Sequence, residues 1–578
     1  MSAAETQIQD GMKIDWDVPI AMDDGLVLRA DVFRPAAEGR HPVILSYGPY
    51  GKGLAFQEGY KTAWEIMARD YPDAVAGSTN RYANWEVVDP EKWVPDGYVC
   101  VRVDSRGAGR SPGYLCHNNA RETRDIHLCI EWAAAQAWSS GKIGMNGISY
   151  YASNQWRAAA SQPPHLAAIC VWEGWNDAYR ESARHGGIIC SFRKNWQDMQ
   201  VKTVQHGVGE RGKKNPSTGE LACGPETLGE AELAKNREDM WQAFLSREMD
   251  DTYYRERSAD LSRVSIPLLT AANWGGQGLH TRGNFEGFVG AASKQKWLEV
   301  HGGSHWAPFY TDYGRLLQLD FFDHFLKGKD NGWDRQSRVL LNVRSPGERF
   351  VMRSENEWPL ARTKWTPHYL DPKGMQLSRD APSSAGTLSY DPMGDGLTFS
   401  TPPLRAEMEL TGPSALKLFV SSATADADLF VVLRVFAPDG KEVLFQGALD
   451  PKTPVGQGWL RASHRKLDRE RSRPYRPYHT HDEKQPLKPG EPVELDIEIW
   501  PTCIVVPAGY RIALSIRGRD YEHDEPAASL SNMKNPMKGC GPFTHDDETD
   551  RPPKIFGGKV TLHFERQPFV LLPVIPMN

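Results

Sequence analysis

The sequence predicts an α/β core with an inserted helical segment, followed by an all-β C-terminal domain. Up to about Val300, short apolar runs alternate with turns and with stretches of helical spacing, which is typical of a mostly parallel sheet. After about Pro346, apolar and polar residues alternate strictly, which is typical of strands with one buried face. Since the chain has 578 residues, two or three domains are expected.

Seven apolar runs are the candidate core strands. They are LVLRADVF, HPVILSYGPY, GYVCVRVDSRG, GKIGMNGISYY, LAAICVWEGW, IPLLTAANW and KQKWLEVHGG. Before the fourth run, NARETRDIHLCIEWAAAQ places apolar residues at helical spacing and predicts a crossover helix. The core is therefore expected to comprise residues 1–175 and 264–345.

Residues 176–263 lack the strand pattern and are charged and helix-prone, with a polar, glycine-rich stretch, GERGKKNPSTGELACGPETLGE. This composition predicts an inserted, mainly helical cap with one mobile loop. Residues 346–578 contain VELDIEIW, SALKLFV, DLFVVLRVF and RIALSIRG, which alternate with period two. We expect an antiparallel β-sandwich or jelly roll there.

Composition narrows the classes of function. A net charge of −6 and a pI near 6.3 provide no basic face, so no nucleic acid partner is expected. No run of 18 apolar residues and no secretory signal pattern occurs, and the eight cysteines lack CxxC spacing, so we expect a cytoplasmic protein without membrane contacts. Walker-type, HExxH and paired CxxC motifs are absent, so no cofactor or metal is expected.

Gly147-Ile148-Ser149-Tyr150 is the strongest motif, because it follows the strand-like GKIGMN and precedes the helix-like NQWRAAAS. A serine on such a strand-turn-helix elbow exposes its hydroxyl at the edge of the sheet and can act as a nucleophile. An ordinary helix N-cap is the alternative role for this serine. The context favours Ser149 as the nucleophile.

A serine nucleophile needs a base and an oxyanion hole. His305 follows the last predicted core strand and is the expected base, while His301 lies at the strand end and is the competing candidate. The backbone N–H of Tyr150 and the phenol of Tyr50 are the expected oxyanion donors. The alternative role for Tyr50 is aromatic packing against the cap.

These residues resemble the cocaine esterase / X-prolyl dipeptidyl-peptidase family of CocE/NonD-type serine hydrolases. The matching segments are Pro49 to Lys52, Asp104 to Gly113, the elbow at Ser149, Ser304-His305, and Gly458 to Ser463. The resemblance spans most of the chain and implies an α/β-hydrolase core, an inserted cap and a C-terminal jelly roll. It also implies Ser149 as nucleophile, His305 as base, and Tyr50 and Tyr150 as oxyanion donors. A preference for bulky, often aromatic acyl groups is a further implication.

The sequence departs from this family pattern at two places. Ala152 stands where the elbow usually has glycine, and the sequence after IPLLTAANW reads GGQG where the family normally has an aspartate. Glu173, at the end of the strand after the nucleophile strand, is the expected replacement acid. Glu286 and a site without a carboxylate are the alternatives. Glu173 could instead pair with a cap arginine, Arg180 or Arg184.

The predicted function is hydrolysis of a carboxylic ester or amide through an acyl-enzyme. The substrate is expected to be a small molecule, and a homodimer is a further expectation. Two alternatives stay open at this point. One is an X-prolyl dipeptidyl-peptidase or acyl-aminopeptidase, which needs a carboxylate for the free amine of its substrate. The other is a catalytically weak binding scaffold that kept the fold.

Overall fold

A computed structural model describes residues 6–383 and 385–576 of the chain. Eleven strands form the first sheet, and a two-stranded hairpin accompanies it. In chain order these strands are β1 (Thr6–Gln9), β2 (Met12–Ala21), β3 (Val27–Pro35), β4 (His41–Gly48), β5 (Val99–Asp104), β6 (Ser139–Ile148), β7 (Leu166–Trp172), the hairpin strands β8 (Arg184–His185) and β9 (Ile188–Ile189), β10 (Leu268–Asn273), β11 (Lys296–His301), β12 (Val339–Ser345) and β13 (Arg349–Glu355).

The first sheet has the order β1-β2-β3-β5-β4-β6-β7-β10-β11-β12-β13. The strands from β5 to β12 in this order pair in parallel, and the strands at both edges pair antiparallel. Each of the seven predicted apolar runs contains one strand of this sheet. All residues of β5 and β10 are buried, because helices cover both faces of a parallel sheet.

Fourteen α-helices accompany the strands in the described part of the chain. They are α1 (Phe56–Gly59), α2 (Lys61–Asp70), α3 (Pro72–Val75), α4 (Pro90–Trp93), α5 (Ala120–Ala134), α6 (Tyr150–Ala160), α7 (Phe192–Trp196), α8 (Glu230–Lys235), α9 (Met240–Leu245), α10 (Thr252–Arg257), α11 (Thr281–Gly290), α12 (Ala307–Tyr310), α13 (Asp312–Lys327) and α14 (Pro553–Phe556). The predicted crossover helix is α5, whose first turn is capped by the side chain of Asn119.

Residues 176–263 contain the short helices α7 to α10, the β8–β9 hairpin and several single turns of 3₁₀ or π helix. Asp177, Asp239 and Asp251 each accept a hydrogen bond from a backbone N–H at a helix start, which explains why so charged a segment forms helical turns. None of the described helices, here or elsewhere, has the length and apolar character of a membrane-spanning segment.

A second eleven-stranded sheet forms the C-terminal β-rich domain. Its strands are β14 (Lys364–Asp371), β15 (Gln376–Ser378), β16 (Thr387–Tyr390), β17 (Leu397–Ser400), β18 (Met408–Ser422), β19 (Asp428–Phe436), β20 (Gly456–Arg461), β21 (Val493–Val506), β22 (Arg511–Arg517), β23 (Val560–His563) and β24 (Phe569–Ile575). The order is β16-β23-β18-β21-β20-β19-β22-β17-β15-β14-β24, and β24 also pairs with β18, so the sheet closes on itself. Strand pairing is antiparallel except between β15 and β17.

The core sheet extends past residue 345, where the sequence analysis places the end of the core. The reason is that β13 pairs with β12 over the full length of both strands, from Val339 with Glu355 to Ser345 with Arg349. The period-two pattern that marks the all-β domain therefore begins in a strand that still belongs to the core sheet. Periodicity alone cannot assign a hairpin strand to one of two adjacent sheets.

Arg344 at the end of β12 joins the core to the β-rich domain. Its guanidinium is 1% exposed and donates to the carbonyl oxygens of Cys503 and Val455 at 2.5 and 2.8 Å and to Thr502 Oγ1 at 2.9 Å. Because buried polar groups are costly when they lack a partner, this contact holds the two domains in one fixed arrangement.

We predict that Arg344→Met destabilises the protein by roughly 2–4 kcal/mol, because it removes three buried hydrogen bonds to the β-rich domain. Arg349→Met is the matched control, since Arg349 is exposed and its Nε donates to Pro346 O. Thermal denaturation of both variants measures the effect. Equal melting temperatures for the two variants would contradict the structural role of Arg344.

Candidate active site

Ser149 lies on a sharp turn between β6 and α6. Its φ of 59° and ψ of −108° are unusual for a residue with a side chain, and this strain is typical of a nucleophile elbow. A side chain at Gly147 would come within 2.5 Å of Tyr151 Cβ and 3.0 Å of Glu86 O, so only glycine fits there. Ala152 is accommodated because its neighbour across the turn is Gly174, where a Cβ would lie 2.8 Å from that of Ala152.

The predicted residues gather at the carboxyl ends of the core strands. Tyr50 follows β4, Ser149 follows β6, Glu173 follows β7, and His305 follows β11. Loops at this edge of a parallel sheet converge, so residues far apart in sequence meet at one cavity. The cavity is lined by Tyr50, Ser149, Tyr150 and His305, while Glu173 lies behind His305.

Glu173 is fully buried and accepts hydrogen bonds from both predicted histidines. Its Oε2 lies 2.7 Å from His305 Nδ1, and its Oε1 lies 3.1 Å from His301 Nε2. Asn273 Nδ2 also donates to Glu173 at 3.2 Å. Burial alone would raise the pKa of Glu173, but the two histidines outweigh it and lower the pKa to about 2. A stable carboxylate therefore lies beside His305.

The alternative partners of Glu173 are engaged elsewhere. Arg180 pairs with Asp177 and Asp250, both at 2.9 Å, and Arg184 pairs with Asp550 at 2.7 Å. Glu286, the other candidate acid, forms an ion pair with Arg476 of the β-rich domain. The geometry therefore brings Glu173, and not Glu286, to His305.

Position 275, in the loop after β10 where the sequence lacks the acid of the family pattern, has no room for a side chain. A Cβ at Gly275 would lie 2.5 Å from Gly447 Cα and 2.8 Å from Gln446 O. Ala448 N also donates to Gly275 O at 2.9 Å. The β-rich domain thus occupies the space that a side chain would need.

His305 and Ser149 line the same cavity, but the hydrogen bonds of the His305 ring go to other groups. Its Nε2 lies 3.0 Å from Glu86 Oε1, so the imidazole is held between two carboxyl groups. Burial would lower the pKa of His305, but Glu173 and Glu86 raise it to about 10. The imidazole is therefore held in its protonated form at neutral pH.

His280 is the histidine that contacts Ser149, with 3.0 Å between its Nε2 and Ser149 Oγ. The rings of His280 and His305 are stacked, with 5.2 Å between centroids. Nδ1 of His280 is buried and has no hydrogen-bond partner in the described part of the chain, and burial lowers the pKa of His280 well below its usual range. His280 is therefore neutral and able to accept the serine proton.

Sequence reasoning missed both His280 and Glu86. His280 stands in a loop after a predicted core strand, which is the same signal that identified His305. The same loop begins with GGQG, where the family pattern has an aspartate, and the sequence analysis considered only that difference. Glu86 lies in a long connection between β4 and β5 without a strand pattern, so no sequence signal marked it.

The two predicted oxyanion donors differ in what their side chains do. Tyr50 is buried, lines the cavity and accepts a hydrogen bond from Trp196 Nε1 at 3.0 Å, which leaves its own O–H free to donate. The phenol of Tyr150 instead donates to Glu122. Tyr150 is the first residue of α6, so its backbone N–H has no intrahelical acceptor and can face an oxyanion.

One group of buried side chains in the described ranges, 6–383 and 385–576, has the composition of a metal site. His185, Cys190 and His545 place their ligand atoms within 4.8 Å of one another. However, His185 Nδ1 and His545 Nε2 are 2.7 Å apart and hydrogen-bonded, which is closer than the ~3.3 Å between two nitrogen ligands of a tetrahedral zinc ion. This group joins the cap hairpin to the β-rich domain as a hydrogen-bonded pair.

Comparisons with known proteins show what the chain is similar to. Residues 24–307 match the family model described as X-Pro dipeptidyl-peptidase (S15 family), and residues 331–535 match its C-terminal non-catalytic domain. A putative serine esterase from Mycobacterium bovis is 25% identical over 87% of this chain and 90% of its own length. The cocaine esterase of Rhodococcus sp. is 24% identical over 74% of this chain and 81% of its own.

A solved structure adds a closer likeness. The crystal structure of a CocE/NonD family hydrolase from Staphylococcus aureus is 32% identical in sequence, with a TM-score of 0.84, and the match covers 100% of this chain and 97% of that one. The nucleophile-elbow geometry, the domain matches and this identity together show that the chain belongs to the CocE/NonD family of serine hydrolases.

Proposed function

We propose that this enzyme hydrolyses carboxylic esters or amides through an acyl-enzyme on Ser149. The observation that carries the proposal is the position of Ser149. Its backbone is strained, and its hydroxyl lies 3.0 Å from Nε2 of the neutral His280. The cavity also presents two free oxyanion donors, from Tyr50 and Tyr150. Attack of Ser149 Oγ on the substrate carbonyl would form a tetrahedral intermediate. The Tyr50 phenol and the Tyr150 N–H would then bind the developing oxyanion.

We propose His305 as the general base and Glu173 as the acid that orients it. A base must be stabilised when it becomes an imidazolium, and of the two histidines near Ser149 only His305 has a carboxylate on Nδ1. In this role, His305 Nε2 would first lose its proton to solvent, which its raised pKa makes more frequent at high pH. The deprotonated Nε2 would then leave Glu86 and accept the proton of the Ser149 hydroxyl. The hydrogen bond between Ser149 and His280 favours His280 as a second candidate for the first proton transfer.

The cavity supports an esterase or amidase more than an X-prolyl dipeptidyl-peptidase. Such a peptidase needs a free carboxylate for the substrate amine. Among the described residues that line the cavity, one carries a carboxyl group, Glu86. That carboxyl group is already hydrogen-bonded to His305. Aromatic rings supply much of the remaining lining and suit a bulky or aromatic acyl group: Trp85, Trp175, Phe192, Trp196 and Phe543.

Three further proposals concern the whole protein. The closed antiparallel sheet supports a jelly-roll arrangement of the C-terminal domain. We also propose the domain division of residues 1–175, 176–263 and 264–345, with the core extended to residue 355. The eight free cysteines fit a reducing cytoplasm. A homodimer stays a prediction.

We predict that Ser149→Ala lowers kcat by a factor on the order of 10⁶ while the protein stays folded, because the hydroxyl forms the acyl-enzyme. Hydrolysis of 4-nitrophenyl esters and labelling by a fluorophosphonate probe measure the loss. Retention of more than a few percent of activity, or labelling of another residue, would reject Ser149 as the nucleophile.

We predict that Glu173→Gln lowers kcat by about 10⁴-fold, as when a triad acid becomes an amide. Glu286→Gln is the matched control and is expected to keep wild-type activity, because its carboxylate pairs with Arg476 away from His305. Steady-state kinetics of both variants on one ester decide the point. A mild effect at Glu173 would mean that His305 works without this carboxylate.

The pH dependence separates the two candidate bases. A base acts only when deprotonated, so with His305, whose pKa is raised to about 10, kcat/KM is expected to rise steadily from pH 7 to 10. If His280 were the base, kcat/KM would be flat above pH 6, since its pKa is lowered well below the ordinary value. Profiles of wild type, His280→Gln and His305→Gln on one ester distinguish these outcomes.

A further inference from the structure

Arg193 on α7 projects into the wall of the cavity that holds Ser149. Its side chain is 4% exposed, and its guanidinium lies over the rings of Trp196 and Trp175, at 4.8 and 5.6 Å from their centroids. Trp196 in turn stacks on Tyr150 and donates to the Tyr50 phenol. The charge of Arg193 therefore lies beside the two proposed oxyanion donors.

No carboxylate neutralises Arg193 among the residues that the structure describes. Its Nε and Nη2 both donate to the single hydroxyl oxygen of Ser182, at 2.8 and 2.6 Å. Its Nη1 has no protein acceptor among the described residues. Burial lowers the pKa of Arg193, and the largest effects in the opposite direction come from phenols and a thiol.

Two other buried arginines, Arg461 and Arg102, have more acceptors in the protein than Arg193 has. Arg461 pairs with Asp428 and Asp550, at 2.9 and 2.8 Å. Arg102 has no carboxylate within an ion-pair distance in the described ranges, but two separate carbonyl oxygens accept its hydrogen bonds, at 2.7 and 2.8 Å. Arg193 has one shared hydroxyl only, so its charge is the least compensated of the three.

A buried cation without a counter-charge costs folding free energy, so its presence in a binding cavity calls for a ligand that supplies the charge. The one carboxyl group in the cavity lining, on Glu86, is hydrogen-bonded to His305. A guanidinium with free N–H groups binds a carboxylate strongly, through charge-assisted hydrogen bonds. The cavity thus has a built position for an anion beside the reacting serine.

We propose that Arg193 determines specificity by binding a carboxylate of the substrate, so that the enzyme acts on esters or amides that carry a second, ionised carboxyl group. This inference rests on the proposed serine hydrolase function. It adds the chemical class of the substrate, an anion, which is the opposite of the cationic amine that an X-prolyl dipeptidyl-peptidase recognises.

Two matched pairs of chromogenic or fluorogenic esters test the proposal, one for each side of the scissile bond. The acyl-side pair is 4-nitrophenyl hydrogen glutarate and its methyl ester; the alcohol-side pair is 4-carboxyphenyl acetate and its methyl ester. In at least one pair, wild type is expected to prefer the anion by roughly 10- to 100-fold in kcat/KM, the value of one charge-assisted contact. A preference for the neutral ester in both pairs would overturn the proposal.

The same ester pairs are then measured with the variants Arg193→Gln and Arg193→Lys. The ratio of anionic to neutral kcat/KM is expected to fall to about one in Arg193→Gln and to stay partly preserved in Arg193→Lys, mainly through KM. Lys194→Gln removes an equal charge from the exposed face of α7 and is expected to keep the wild-type ratio. If Arg193→Gln lowered kcat/KM equally for both esters of a pair, Arg193 would instead stabilise the fold or the oxyanion.

A binding measurement keeps the inference separate from catalysis. Glutarate is expected to raise the melting temperature of wild type and of Ser149→Ala, but not that of Arg193→Gln, while neutral glutaramide raises none of them. If neither member of any ester pair is hydrolysed, the proposed function fails and glutarate binding still tests Arg193. If the neutral esters are hydrolysed and glutarate shows no effect, the anion proposal alone fails.

Discussion

The buried carboxylate of Glu173 is the interaction on which the active-site arrangement depends. It binds His305 and His301 at once, and its own backbone adopts a φ of 50°, which turns the chain sharply at the end of β7. Without its charge, His305 and His301 would each lose one of their two carboxylate partners and would keep only Glu86 and Glu299, respectively. The orientation of His305, and through stacking that of His280, therefore depends on this group.

The place of this carboxylate follows from how the two domains pack. The segment around Gly447 of the β-rich domain closes over Gly275 and leaves no space for a side chain at that position. An acid at the end of the neighbouring strand reaches the same histidine from the other side, because the ends of parallel strands converge. The β-rich domain also contributes Leu449, Met533 and Phe543 to the cavity lining. It therefore affects both the position of the acid and the shape of the binding surface.

Much of this could be predicted from the sequence where a local pattern carries the information. Buried parallel strands need continuous apolar runs, which is why the seven runs matched strands, and the elbow needs glycine before Ser149. Glu173 and His305 were found by the rule that catalytic loops follow core strands. The remaining features depend on contacts between distant segments: β13 joins the core sheet through β12, and Glu86 meets His305 across 219 residues. Neither the missing counter-charge of Arg193 nor the hydrogen bond of His280 to Ser149 has a signature in sequence spacing.

The protonation state of His305 tests the central claim most directly. In protein labelled with ¹⁵N-histidine, the signals of His305, identified by their absence in His305→Gln, report whether one or both ring nitrogens carry a proton. The account predicts an imidazolium throughout pH 6 to 9 in the resting enzyme, since Glu173 and Glu86 raise the pKa to about 10, and a neutral ring at pH 8 in Glu173→Gln. A neutral His305 at pH 7 in wild type, or a signal unchanged by Glu173→Gln, would contradict it.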